Sequence, residues 1–121
     1  MKNIFKIENF FRSFKYAVRG LKFVWQEQNF RIQFTMAVAV IFLMYYLGLT
    51  RLEKVALIIV IMSVLVLESL NTIFEHLSDL LKPRLHDYIL IIKDIMAAIV
   101  LLASVGAIII GLMIFWPYIF Y

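Results

Sequence analysis

Four polar side chains recur along one otherwise apolar stretch of the sequence. They occupy positions i, i+3, i+7 and i+11, as Glu68, Asn71, Glu75 and Asp79. At about 100° per residue, a helix would place them within about 80° of one another, on a stripe about 16 Å long. Because carboxylates bind Mg²⁺ and accept protons, a row of them on one helix face is suited to metal-assisted or acid–base chemistry.

Other charged residues extend this chemistry. Lys93 and Asp94 directly precede a long apolar run, and Glu27 lies shortly before another. Lysine binds phosphate oxygens, so acids, a lysine and a metal together suit phosphoryl transfer to a hydroxyl group. The four glycines form neither a Walker loop nor a Gly-rich kinase loop, which excludes the apparatus of the soluble kinases.

The elements that position these residues are predicted to be membrane spans. Hydrophobic residues make up 64% of the 121-residue chain, against about 45–50% in globular proteins. Residues 32–50 and 95–121 carry no charge. A span that begins at Val55 needs about 20 residues, so it encloses Glu68 and Asn71. We therefore expect an all-α membrane protein of one domain, residues 1–121, with transmembrane helices at about 32–50, 55–78 and 94–116.

Residues 1–31 differ from the rest of the chain, because they carry seven basic and two acidic residues. Apolar residues recur at helical spacing on one face, as Phe10, Phe14, Ala17, Leu21 and Trp25. This pattern predicts an amphipathic helix, which either lies in an anionic membrane surface or packs against its own protein. The chain has no Cys, which excludes disulfide scaffolds and thiol catalysis.

The basic residues predict the orientation. With the N-terminus in the cytoplasm, ten basic residues lie inside and only Arg51 and Lys54 lie outside. This is the bias of the positive-inside rule, and it explains the basic charge better than nucleic-acid binding does. We expect a multi-pass protein of the inner (cytoplasmic) membrane, with the charged cluster facing the cytoplasm.

A structural alternative exists for the polar stripe. Asn71 could join neighbouring helices by hydrogen bonds, and Glu68 could be protonated. A carboxylate at membrane depth nevertheless costs about 2.5–3.5 kcal/mol, so three aligned acids favour a functional site. A second functional class, a non-enzymatic oligomeric protein such as a proton-coupled transporter, would use Glu68 as its carrier site.

The stripe resembles a known signature. Residues 68–79, ESLNTIFEHLSD, are similar to the pattern E-x-x-N-[ST]-A-[IL]-E-x-x-x-D of the small prokaryotic diacylglycerol kinases and undecaprenol kinases. The spacing continues through His86 to Lys93 and Asp94, and the resemblance covers residues 10–117.

The resemblance implies a homotrimer with active sites between subunits, in which MgATP phosphorylates the hydroxyl of diacylglycerol or undecaprenol. It further implies that Glu68 is the general base and that Asn71 orders the site. Glu27 and Glu75 would hold the metal of ATP. The nucleotide would also be contacted by Tyr16, His86, Lys93 and Asp94.

The sequence departs from the family pattern at several positions. Larger side chains stand where small ones are usual, at Ile73, Phe74, Met96 and Ile99. Asn9 occupies the position of a frequent arginine, and the segment from Gly20 to Glu27 is one residue short. These departures bear on the lipid groove and on the placement of Glu27.

Overall fold

A computed structural model describes the backbone of residues 2–121 and the side chains from Lys6 onward. These residues form four helices and no strand: α1 (Lys2–Trp25), α2 (Gln28–Tyr46), α3 (Arg51–Leu81) and α4 (His86–Phe120). Helices α2, α3 and α4 are long and apolar enough to cross a membrane. The predictions of an all-α protein and of three candidate spans are therefore confirmed.

Helix α2 ends at Tyr46 although the uncharged run continues to residue 50. Gly48 has a φ of 67°, a left-handed conformation that glycine adopts without strain. The Leu49 N–H donates to the Met44 carbonyl at 3.1 Å, and the Gly48 N–H donates to that of Tyr45 at 3.3 Å. These two bonds form a Schellman motif, and the buried side chains of Leu49 and Met44 supply its hydrophobic contact.

Helix α3 begins directly after this turn, at Arg51 rather than at residue 55. The Glu53 N–H donates to the Thr50 hydroxyl at 3.3 Å, and the Thr50 N–H donates to the Glu53 carboxylate at 2.9 Å. This capping box satisfies two N–H groups that otherwise lack helical partners. The Tyr118 hydroxyl also donates to Glu53, at 2.5 Å. The beginning of α3 is thus tied to the end of α4, and the two helices are antiparallel.

The connection between α3 and α4 is shorter than the gap between the predicted spans 55–78 and 94–116. Helix α3 ends at Leu81, and α4 begins at His86. Pro83 cannot donate a backbone hydrogen bond, so α3 does not continue through it. Lys93 consequently lies within α4, two turns after the first residue of that helix, and its backbone is helical.

The three long helices bury few side chains within one chain. A core of Met44, Leu49, Leu57 and Phe115 lies near the turn between α2 and α3. Only 17%, 17% and 6% of the most apolar windows of α2, α3 and α4 are buried. Such an apolar exterior is stable when lipid or neighbouring subunits cover it, because helices satisfy their own backbone in the bilayer.

Helix α1 joins α2 through aromatic side chains. The Trp25 ring packs edge-on against Phe34, with 5.1 Å between centroids, and against Phe30 at 6.3 Å. The apolar face predicted for α1 is otherwise exposed, at Phe10, Phe14, Ala17 and Leu21. Among the described side chains, none covers this face.

Candidate active site

The predicted base, Glu68, is the most deeply placed acid of the stripe. Its side chain is only 4% exposed, and it lies on the part of α3 that faces α2. Gln33 of α2 donates from Nε2 to Glu68 Oε2 at 3.3 Å. One amide therefore contacts the carboxylate from a neighbouring helix, and a charged acceptor strengthens such a bond.

Asn71 and Glu75 form the next level of the stripe. Asn71 Nδ2 donates to Glu75 Oε1 at 3.1 Å, and both side chains are half-buried. This contact lies within α3, and among the described side chains Asn71 makes no hydrogen bond to another helix. It fixes one oxygen of Glu75 and leaves the carboxylate capable of binding a further group.

Glu27 approaches the same region from the start of α2. It is the residue before the first turn of α2, with extended backbone, and its side chain makes no capping hydrogen bond. Glu27 and Glu75 both lie within electrostatic range of the Glu68 carboxylate. Three acids, two on α3 and one at the start of α2, therefore lie in the same region of the bundle.

Positive charge lies near Asp79, the last acid of the stripe. Lys82, which follows the last turn of α3, lies close to Lys93 of α4. The nearby Lys93 side chain and the repulsion between the two ammonium groups lower the pKa of Lys82 below its usual value, while Asp79 opposes the shift. Two adjacent ammonium groups attract an anion, and phosphate oxygens are suitable acceptors for them.

The other predicted nucleotide contacts, Tyr16, His86 and Asp94, are exposed in this chain. Tyr16 is exposed on α1, and the Arg19 guanidinium lies 5.5 Å from its ring centroid. His86, the first residue of α4, and Asp94 are also exposed. Among the described side chains, no hydrogen bond joins any of these residues to the stripe.

The donor chemistry of the acids fits Mg²⁺. Within the described part of the chain, no three acidic or imidazole groups meet as a complete metal-binding cluster. Mg²⁺ in phosphoryl-transfer sites keeps several waters and binds one or two carboxylates together with substrate phosphates. Glu27 and Glu75 match that requirement in their chemistry, because each offers carboxylate oxygens in the region of Glu68.

Three of the residues that depart from the family pattern line the same groove. Phe74, Met96 and Ile99 all line an apolar groove between α3 and α4. The groove is completed by Leu67, Leu70, Ile92 and Ile95. Because Leu67 and Leu70 each precede a stripe residue, the groove runs beside the acidic stripe on α3.

Sequence reasoning missed Gln33 and Lys82. Gln33 lies in an uncharged run, and a neutral amide carries no charge that would mark it as a candidate site residue. The signal for it was a large polar residue inside a predicted span, which needs a partner in lipid. In the sequence, Lys82 indicates only the orientation in the membrane, because its proximity to Lys93 depends on how α3 and α4 pack.

Comparison with known proteins identifies the class as membrane lipid kinases. An undecaprenol kinase of Bacillus subtilis (strain 168) is 34% identical over 116 residues, which cover 93% of this chain and 92% of that protein. A diacylglycerol kinase of Synechocystis sp. (strain ATCC 27184 / PCC 6803 / Kazusa) is 36% identical over 113 residues, which cover 91% of this chain and 65% of that protein. No solved structure matches the chain at a significant level.

The family model described as prokaryotic diacylglycerol kinase matches residues 15–115. This chain therefore belongs to the prokaryotic diacylglycerol kinase family, and it is a lipid kinase. Its substrates are accordingly ATP and a lipid, and its three apolar helices agree with a membrane protein. The resemblance and the enzyme class predicted from the sequence are confirmed.

Proposed function

We propose that this enzyme transfers the terminal phosphoryl group of MgATP to the hydroxyl of diacylglycerol or undecaprenol, with Glu68 as general base. One observation carries the proposal: Glu68 is buried within a candidate span, while the lysines and the other acids lie toward the end of the bundle. This gradient suits a lipid hydroxyl that arrives from the bilayer and a nucleotide that arrives from water.

The chain's own groups account for the reaction. Glu68 accepts the hydroxyl proton as the lipid oxygen bonds to the γ-phosphorus, whose bond to the bridging oxygen breaks and releases ADP. Asn71 orders Glu75 through its 3.1 Å hydrogen bond. Lys93, with Lys82 beside it, attracts the phosphates. Glu27 and Glu75 would hold Mg²⁺, which when bound neutralises charge on the phosphate oxygens.

We assign Tyr16, His86 and Asp94 to the nucleotide, in a site shared between subunits of a homotrimer. Their exposure supports this role, because exposed side chains can reach a nucleotide at a neighbouring subunit. The exposed apolar faces of α2, α3 and α4 also support an assembly within the membrane.

The proposal is tested with purified protein in liposomes and ATP labelled in its γ-phosphate. Liposomes that contain diacylglycerol or undecaprenol, assayed separately, should yield labelled lipid after extraction. The ratio of the two rates identifies the preferred acceptor. Absence of label in both lipids, together with proton-coupled transport, would favour the transporter hypothesis. The three candidate spans and the kinase relatives argue against that hypothesis.

We expect Lys93→Ala to raise the apparent KM for ATP or to lower kcat by about tenfold or more, because it removes a charge-assisted contact to phosphate. Steady-state kinetics at varied ATP check this. The matched control is Lys54→Ala, at the opposite end of α3, where the ammonium lies 4.6 Å from the Tyr45 ring. Equal kinetics for both variants would contradict a phosphate contact at Lys93.

We place the N-terminus and the active site on the cytoplasmic side of the inner membrane, where ATP is available. Because the chain has no Cys, single cysteines report topology without background. Leu52→Cys is preferable to a change at Thr50, since Thr50 caps α3 and Leu52 is 82% exposed. An impermeant thiol reagent applied to intact cells should modify Leu52→Cys and spare Arg84→Cys. The reverse labelling would exclude this active site.

A further inference from the structure

The amide of Gln33 is unusual among the polar groups of the spans. Its Nε2 donates to Glu68 across two helices, whereas its Oε1 is buried without a hydrogen-bond partner among the described residues. Two serine hydroxyls of α3 instead bond to carbonyls of their own helix. Ser63 donates to Ile59 at 2.8 Å, and Ser69 donates to Leu65 at 2.9 Å.

A buried amide whose N–H group is hydrogen-bonded but whose oxygen is not is unfavourable for stability if its only role is to fill space. An unpaired buried acceptor costs about 1–3 kcal/mol, and an apolar side chain of similar size would avoid that cost. The amide therefore needs a reason other than packing, and its one hydrogen-bond partner is the proposed base.

The orientation of the amide also matters. Its N–H group faces Glu68, which favours the ionised carboxylate, because an amide donor bonds best to a charged acceptor. If the amide were reversed, Gln33 Oε1 would face the Glu68 carboxylate, and a hydrogen bond between the two side chains would require Glu68 to be protonated. A general base must be ionised before it accepts a proton.

We propose that Gln33 is a positioning residue for Glu68, holding the carboxylate ionised and oriented for the lipid hydroxyl. The inference rests on the proposed role of Glu68 as base. Gln33 acts through Glu68, so its loss slows the chemical step and leaves nucleotide binding intact.

The test compares two substitutions at one position in the purified, reconstituted enzyme. Gln33→Met keeps the size but removes the donor, and should lower kcat about 10- to 100-fold with an unchanged apparent KM for ATP. Gln33→His retains an N–H donor at similar reach and should recover a large part of the lost kcat. The control is Thr35→Val on the opposite face of α2, where the lost hydroxyl bond is to the Arg31 carbonyl.

Each outcome bears on the inference. Normal kcat in Gln33→Met overturns it, as does an effect confined to the KM for ATP. If Gln33→Met fails to fold, the inference is decided by Gln33→His, and a folded but inactive Gln33→His overturns it. Glu68→Gln is assayed in parallel. Activity in Glu68→Gln contradicts the proposed base, whereas a silent Glu68→Gln beside a fully active Gln33→Met contradicts only the role of Gln33.

Discussion

Replacing Glu68 with Gln is expected to lower lipid phosphorylation about 10²- to 10⁴-fold, the usual contribution of a general base. The physical reason is that an amide cannot accept the proton that the lipid hydroxyl loses. Packing should survive, because the new amide oxygen can still accept the hydrogen bond from Gln33, 3.3 Å away in the present structure. Label transfer from ATP to extracted lipid measures the effect.

The matched control is Glu53→Gln, an equivalent change at the opposite end of the same helix. The amide oxygen of Gln can still accept the bonds from the Thr50 N–H and the Tyr118 hydroxyl, so this variant should keep nearly normal turnover. Both variants should insert and assemble alike, which detergent chromatography checks. Near-normal turnover in Glu68→Gln would remove Glu68 from the role of base.

Removal of Mg²⁺ is expected to abolish activity, and its return should restore it. The phosphates carry high charge, and the two lysines near the site cannot replace a divalent cation in phosphoryl transfer. Glu27→Gln and Glu75→Gln should each raise the Mg²⁺ concentration that gives half-maximal rate, since each removes one anionic ligand. Titration of Mg²⁺ into chelated enzyme measures both effects.

Glu8→Gln is the control for these two variants, because Glu8 is an exposed acid on α1. Its Mg²⁺ dependence should match that of the unaltered protein. Full activity in excess chelator would exclude the metal. An unchanged Mg²⁺ dependence in both Glu27→Gln and Glu75→Gln would exclude these acids as its ligands.

Much of this protein follows from sequence periodicity and hydropathy. A bilayer admits only long apolar segments whose backbone is satisfied internally, so the uncharged runs predict three candidate spans, and the structure contains them. The helical period alone places Glu68, Asn71 and Glu75 on one stripe of α3. The signature within that stripe also predicts the kinase family to which the chain belongs.

Helix ends follow from local chemistry that hydropathy does not register. The left-handed Gly48 stops α2 at Tyr46, and the capping box at Thr50 starts α3 at Arg51. Both signals are present in the sequence, but a charge map overlooks them, because the turn itself is as apolar as the spans. The predicted ends at residues 50 and 55 therefore lie four residues away from those observed.

Contacts between helices were decided only by the tertiary structure. The bonds from Gln33 to Glu68 and from Tyr118 to Glu53 each join different helices, and Lys82 comes close to Lys93 of α4. Spacing along one helix specifies which residues share its face, but not which neighbour that face meets. The rotation and the register of α2, α3 and α4 settle that, and they result from packing many apolar side chains at once.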